Sequence, residues 1–382
     1  MNHFPKKLRD KLQARSKNET LRSLPVALGL IDFSSNDYLG FANSETIFKK
    51  AHQLLTTKKI TQNGATGSRL LSGNHSLYLE TETLLAGFHN AAAALIFNSG
   101  YDANIGLFSS VPQRGDIILY DEYIHASIRD GINMSNAKGY KFKHNDLLDL
   151  GEKLKKHVQA EREIYVVTES VFSMDGDSPD LIALAQLCNQ KNIHLIIDEA
   201  HAVGVFGTKG SGLVQELGLE NAVFVRIITF GKAMGCHGAA VLGSKEVKDY
   251  LINFARSFIY TTGLPPQSLA TIQTAYHELQ QHPEKQQLVQ KNSAFFNQEL
   301  KRLGLAHYFI SSSSAIHCAI IPGNAKVKKI ALRLQEKGFD VKPILSPTVP
   351  KGQERIRFCL HSYNSLQEIA EVLELLAIFA KA

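Results

Sequence analysis

Cysteine is scarce. Cys188, Cys236, Cys318 and Cys359 are scattered through 382 residues, and no two form a C-x-x-C pair. That spacing argues against a zinc ribbon, a thioredoxin-like couple and a secreted disulfide framework, and it suits a reducing, cytoplasmic setting. Long apolar runs are missing too: no segment approaches the ~20 apolar residues of a membrane span. The opening Met1-Asn-His-Phe-Pro-Lys-Lys-Leu-Arg-Asp10 lacks the apolar stretch of a signal peptide. Nor does one sign of charge dominate, since 42 basic and 36 acidic residues leave a net +6. So modest a balance suits a phosphorylated ligand and calls for neither nucleic acid nor membrane. No internal repeat is present, and the one low-complexity run, the serines at 311–314, reads as a loop.

What remains is a globular composition, 44% hydrophobic and 20% charged, able to bury a large core. The length favours one larger α/β domain and a smaller companion. Residues 1 to 30 are charge-rich, with Leu8, Leu12 and Leu21 giving a weakly amphipathic arm. Short apolar runs at 92–97, 117–120, 164–168, 193–197, 223–228 and 238–242 then alternate with helix-length stretches. This alternation implies crossover connections and a mostly parallel sheet with helices on both faces. Helices are expected at 181–190, after the start signal Ser178-Pro179-Asp180, and at 247–258. Pro265-Pro266 marks a break. Beyond it lie a helical stretch to about 303, strands near 315–321 and 355–360, and a periodic segment at 366–380. The expected division is an N-terminal arm over 1–40, a large α/β domain over 41–265 and a smaller α+β domain over 266–382.

Open parallel sheets bind ligands beyond the carboxyl ends of their strands. Here those positions hold Ser99-Gly100-Tyr101, His125-Ala-Ser127, Ser173-Met-Asp175, Asp198-Glu-Ala-His201 and Thr229-Phe-Gly-Lys232. Singly, Asp198 reads as a helix N-cap, His125 as a satisfied loop histidine and Lys232 as a solvated lysine. Together at one sheet edge they read as a cofactor site. Pyridoxal phosphate needs this set: a lysine to bind it, a carboxylate for its ring nitrogen and donors for its phosphate. Asp198-Glu199-Ala200-His201 also spells the DEAH box of a helicase-type ATPase. A phosphate cradle G-x-x-x-x-G-K-[ST] should then precede it. The only Gly-Lys pair, Gly231-Lys232, follows the box, precedes Ala233 and has Arg226 where the first glycine belongs. No other histidine or cysteine cluster has ligand spacing, so no metal site is expected.

Ten stretches in order carry a family resemblance. They are Phe33-Ser-Ser-Asn-Asp-Tyr-Leu-Gly40, Gly67-Ser-Arg-Leu-Leu-Ser-Gly73, Ser99-Gly-Tyr-Asp-Ala-Asn104, His125-Ala-Ser127 and Thr168-Glu-Ser-Val-Phe-Ser-Met-Asp-Gly-Asp177, followed by Asp198-Glu-Ala-His201, Thr229-Phe-Gly-Lys232, Tyr260-Thr-Thr-Gly-Leu-Pro-Pro266, Pro347-Thr-Val-Pro350 and Arg355-Ile-Arg357. In these the chain resembles the α-oxoamine synthases, pyridoxal-phosphate enzymes that condense an amino acid with an acyl thioester on an aspartate aminotransferase-like fold. The resemblance implies Lys232 as the cofactor-binding lysine, Asp198 on the ring nitrogen, and His125 as a catalytic group stacked on the ring. It places His201 and Ser173 at the ring hydroxyl, and Gly100, Tyr101 and Thr229 around the phosphate and ring. Thr261 or Thr262 would reach the phosphate of a second copy, making the site part of a homodimer. Arg357, with Asn36, would hold the amino-acid carboxylate, and Thr348 would touch substrate. Arg355 shares a strand face with Arg357, so on residues alone either could be merely solvated. L-alanine with a pimeloyl thioester, on coenzyme A or an acyl carrier protein and bound for biotin, is the favoured pair. Sister pairs are glycine with an acetyl thioester and serine with a long-chain one. Arg22 has no assigned role, Tyr101 stands where phenylalanine is more usual, and Cys236-His237 follows the lysine where small residues are common.

Overall fold

The structure, a computed structural model, describes residues 4–18, 20–22, 24, 29–157 and 162–381. Its centre is a seven-stranded sheet in the order Ala93–Phe97, Ala239–Gly243, Val225–Thr229, His194–Asp198, Ile164–Glu169, Ile117–Asp121 and Lys138–Phe142. The last five of these run parallel to one another, while Ala239–Gly243 is antiparallel to both its neighbours. Six carboxyl ends therefore emerge along one edge. All the strands but Lys138–Phe142 are buried nearly throughout, which is why they read as unbroken apolar runs. Lys138–Phe142, unheralded by any such run, is an edge strand with only Phe142 buried, and its two lysines guard the unpaired side.

Two expected helices are each two. The stretch 247–258 divides into Lys245–Phe254 and Arg256–Ile259 where Ala255 turns extended. The stretch after Pro265 divides into Pro266–Gln281 and Pro283–Arg302 at His282, with a proline opening each half as its fixed φ allows. Leu269, Ile272, Ala275 and Leu279 of Pro266–Gln281 share an apolar cluster with Ile96, Ile228 and Ala240 of the large sheet. This helix thus covers the large sheet, although it starts at residue 266, the expected start of the smaller domain.

A second core gathers around the antiparallel strands Lys342–Ile344, Arg355–Cys359 and Ile316–Ile320. Phe296 and Leu300, Val327 and Ile330, and Val372 and Leu376 cover it from three helices. Ile31–Asp32 pairs with Phe339–Asp340, and Phe33 enters this core, so the chain preceding the large sheet is sewn into the smaller unit. The helix Lys6–Lys17 buries none of its residues, and Leu8, Leu12 and Leu21 are exposed. Among the described residues no helix is long and apolar enough to cross a membrane.

One turn joins the two units. Gly176 has a φ of +78°, and a Cβ there would run into the Ile316 carbonyl oxygen. Its own carbonyl accepts hydrogen bonds from Ser312 and Ser314, so the serine run is a buried fastening as well as a loop. The next residue, Asp177, is clasped with Asp121 by His144, each at 2.9 Å.

Candidate active site

The strand ends place their residues through helix starts and tight turns. Ser99 caps Gly100–Ser110 by accepting the Asp102 N–H, and the Gly100 and Tyr101 amides have no hydrogen-bond partner among the described residues. A Cβ on Gly100 would lie 3.7 Å from Thr229 Oγ1, which puts the glycine against the end of Val225–Thr229. His125 caps Ala126–Met134, and its Nδ1 lies 2.7 Å from Ser127 Oγ. Asp198 ends its strand with one carboxylate oxygen accepting the Ala200 N–H at 2.9 Å and the other accepting from Asn104 at 3.1 Å. Asn104 also donates to Ser127, which ties Asp198 to His125 through two side chains.

Lys232 lies among these groups, its carbonyl accepting the Gly235 N–H, and its side-chain amine makes no hydrogen bond or ion pair with the described residues. Burial, and then the nearby Arg357 cation, push its amine below the ordinary lysine value, while Asp198 opposes them. Burial and Lys232 likewise lower His125, against the pull of Asp198. His201 is held well below its ordinary value by burial and by Lys232, Arg357 and His125, and stays neutral.

Glu169 pairs in register with Asp198 and accepts the His125 backbone N–H at 2.5 Å. Burial and the Asp198 charge raise it well above the usual carboxylate range, so it serves as a neutral prop. Neither Glu169 nor Asn104 was assigned a role from sequence. Asn104 carries a signal, being polar on the buried side of Gly100–Ser110. Glu169 does not, since it closes an apolar strand like any other terminal residue. Glu199, the second letter of the DEAH string, is wholly buried, accepts the Val214 N–H and faces Arg226 at 3.8 Å. Its position is structural.

The smaller unit contributes Arg357, whose guanidinium donates to the Ser173 carbonyl at 2.7 Å, the Cys359 sulfur at 2.9 Å and Asn36 Oδ1 at 2.8 Å. These use three of its five N–H groups, and the Tyr38 hydroxyl is a further partner of the guanidinium. Neither arginine is solvated: Arg355 is buried and donates to Asp175 at 2.7 Å and to the carbonyls of Met174 and Gln353. His125, Ser173, Arg355 and Thr348 line one cleft of about 250 Å³, which runs from the strand ends along the seam between the units. Tyr101 is half-exposed, and its hydroxyl donates to Asp130 at 2.7 Å. Asn98 donates to Thr261 Oγ1 at 3.1 Å and to the Thr262 carbonyl at 2.6 Å, which anchors that loop beside Ser99.

A desolvated amine without a partner, a carboxylate fixed beside it and an open helix N-terminus fit pyridoxal phosphate. Fold and site together define a fold-type I pyridoxal-phosphate enzyme. The chain belongs to the aminotransferase class I and II family, whose profile matches residues 29–373, and within it to the α-oxoamine synthases, pyridoxal-phosphate-dependent acyltransferases. It is 41% identical to the 8-amino-7-oxononanoate synthase of Emericella nidulans, over 99% of this chain and 97% of that one. Among solved structures, serine palmitoyltransferase of Sphingomonas wittichii superposes with a TM-score of 0.89 at 26% identity, covering 98% of this chain and 97% of that one. The 8-amino-7-oxononanoate synthase of Francisella tularensis superposes at 0.77 with 29% identity, covering 92% and 98%.

Proposed function

We propose that the protein condenses L-alanine with a pimeloyl thioester, carried on coenzyme A or an acyl carrier protein, to give 8-amino-7-oxononanoate, carbon dioxide and free thiol in biotin synthesis. The observation that carries the chemistry is the unpaired, desolvated Lys232 between Asp198 and Arg357. The choice of substrates rests on the likeness to the Emericella nidulans synthase.

When bound, pyridoxal phosphate supplies an electron sink for the pair left on the amino acid's α-carbon. Asp198 would hold a proton on the ring nitrogen, and His125 would cover the ring face. Ser173 and His201 would meet the ring hydroxyl. The first amides of Gly100–Ser110, with Thr229 and Tyr101, would hold the phosphate end, and Thr261 or Thr262 would complete that site for the second copy of a homodimer. Lys232 would take the α-proton, a task suited to an amine whose burial favours the neutral form. The Arg357 guanidinium, with Asn36 beside it, would orient the amino-acid carboxylate. The acyl chain would run along the cleft past Thr348. A carbon–carbon bond then forms between the α-carbon and the thioester carbonyl as thiolate leaves. The amino-acid carboxylate departs as carbon dioxide, and a proton returns to the α-carbon.

The test is to titrate the cofactor-loaded protein separately with L-alanine, glycine and L-serine, follow the visible band, and identify the product by mass spectrometry. Response at the lowest concentration to alanine, with 8-amino-7-oxononanoate formed, is the expected result. A preference for serine or glycine would assign a sister activity; the closer superposition on serine palmitoyltransferase favours serine as that alternative. Lys232→Ala should abolish turnover and leave the far-ultraviolet circular dichroism unchanged, and full activity in that variant would sink the assignment.

A further inference from the structure

A hydrogen-bonded chain of four side chains runs from Arg357 to His201, and its protons can be counted. Arg357 has donors only, and its Nη2 lies 2.8 Å from the end of the Asn36 amide, so that end must be the oxygen. Tyr38 Oη lies 3.1 Å from the same oxygen. Two oxygens in hydrogen bond need a proton between them, and only the phenol has one to give. With that proton directed at Asn36, the 2.7 Å contact between Tyr38 Oη and His201 Nδ1 needs a proton from the imidazole. Tyr38 is wholly buried, so no solvent enters to alter the count, and Arg357, which also reaches the phenol, can only donate to it. His201 is buried too, and its Nε2 has no hydrogen-bond partner among the described residues.

We propose that Tyr38 is a positioning residue that fixes His201 as the Nδ1–H tautomer, under orders passed from Arg357 through Asn36, so that His201 Nε2 presents a lone pair to the cofactor's ring hydroxyl. His201 is then an acceptor toward that hydroxyl and holds the hydroxyl proton in place. The imidazole carries a single proton because burial and the surrounding cations keep it neutral. The tautomer follows from the chain itself, whereas its effect on the cofactor rests on the proposed function.

Nitrogen-15 histidine labelling of the cofactor-free protein tests the first part, with the His201 signals identified by their loss in His201→Gln. Long-range proton–nitrogen correlations should place the proton on Nδ1. In Tyr38→Phe the population should move toward Nε2–H. A wild-type Nε2–H tautomer, or a Tyr38→Phe tautomer equal to wild type, overturns the proposal. The wild-type measurement does not involve Tyr38→Phe, so the proposal stays open to refutation even if that variant fails to fold. In the loaded protein, Tyr38→Phe should shift the pH midpoint of the visible band by about one unit, a tenfold change in proton affinity. An unmoved midpoint overturns the link to the cofactor. Absence of any visible band in the wild type overturns the cofactor reading itself, with the tautomer decided separately.

Discussion

Arg355 and Arg357 show why a pair of like residues can divide its labour. They lie two apart on Arg355–Cys359, so strand alternation sends both to one face, and nothing in the sequence separates them. Asp175 separates them, by pairing with Arg355 and leaving Arg357 to face Lys232. Arg355→Leu strands a buried carboxylate, and should cost about 3–5 kcal/mol of stability in urea titration. Arg357→Lys keeps the charge and loses the fork. It should raise the amino-acid KM roughly ten- to a hundredfold, equivalent to about 1.5–3 kcal/mol of charged hydrogen bonding, with a smaller effect on kcat in steady-state assays. Lys232, Asp198, His125 and His201 could be picked out beforehand because each follows an apolar run. Glu169 could not, because its neutrality comes from burial in the folded sheet and from Asp198 one strand away.

The turn bearing Ser173, Asp175 and Gly176 is fixed at one end by His144. Burial alone would lower this histidine, but hydrogen bonds to Asp121 and Asp177, and their charges, raise it to about 10. Its folded value thus exceeds the ordinary 6.5. The stabilisation is complete below that ordinary value and fades as pH rises through about 10. His144→Asn should therefore lose most stability near about pH 6 and little above about pH 10, as chemical denaturation at several pH values would report. Elements of this kind differ in how openly they announce themselves. Strands buried on both faces appear as apolar runs, whereas Lys138–Phe142 is solvated and hidden. The break at Ala255 has no proline or glycine to mark it. The one at His282 does, in Pro283, but the flanking helical patterns mask it.

Two cores meet at the candidate site, and the expected boundary at residue 266 falls before a helix that belongs by packing to the large sheet. Arg357, Asn36 and Thr348 come from beyond that sheet, so closure of one unit on the other would set the geometry around the amino acid. The loops carrying Leu71 and Tyr260 lie side by side, joined where the Gly263 N–H meets the Gly67 carbonyl, and both side chains are exposed. If a second copy covers them, Leu71→Asp should shift sedimentation toward monomer and weaken cofactor retention together. Retention of the dimer would remove this surface from the proposed interface.

The strand Ala93–Phe97 has a consequence for synthesis. Among the described residues its only sheet partner is Ala239–Gly243, with Phe97 set against Ala239. A ribosome must therefore translate well past the lysine loop before the strand that launches Gly100–Ser110 has anything to pair with. The helix start proposed to hold the phosphate is thus made early and waits on a strand made much later. A nascent chain halted before residue 239 would carry Lys232 and Asp198 and still lack the strand against which Ala93–Phe97 is seated, so completion of this part of the site waits on a long-range closure of the sheet.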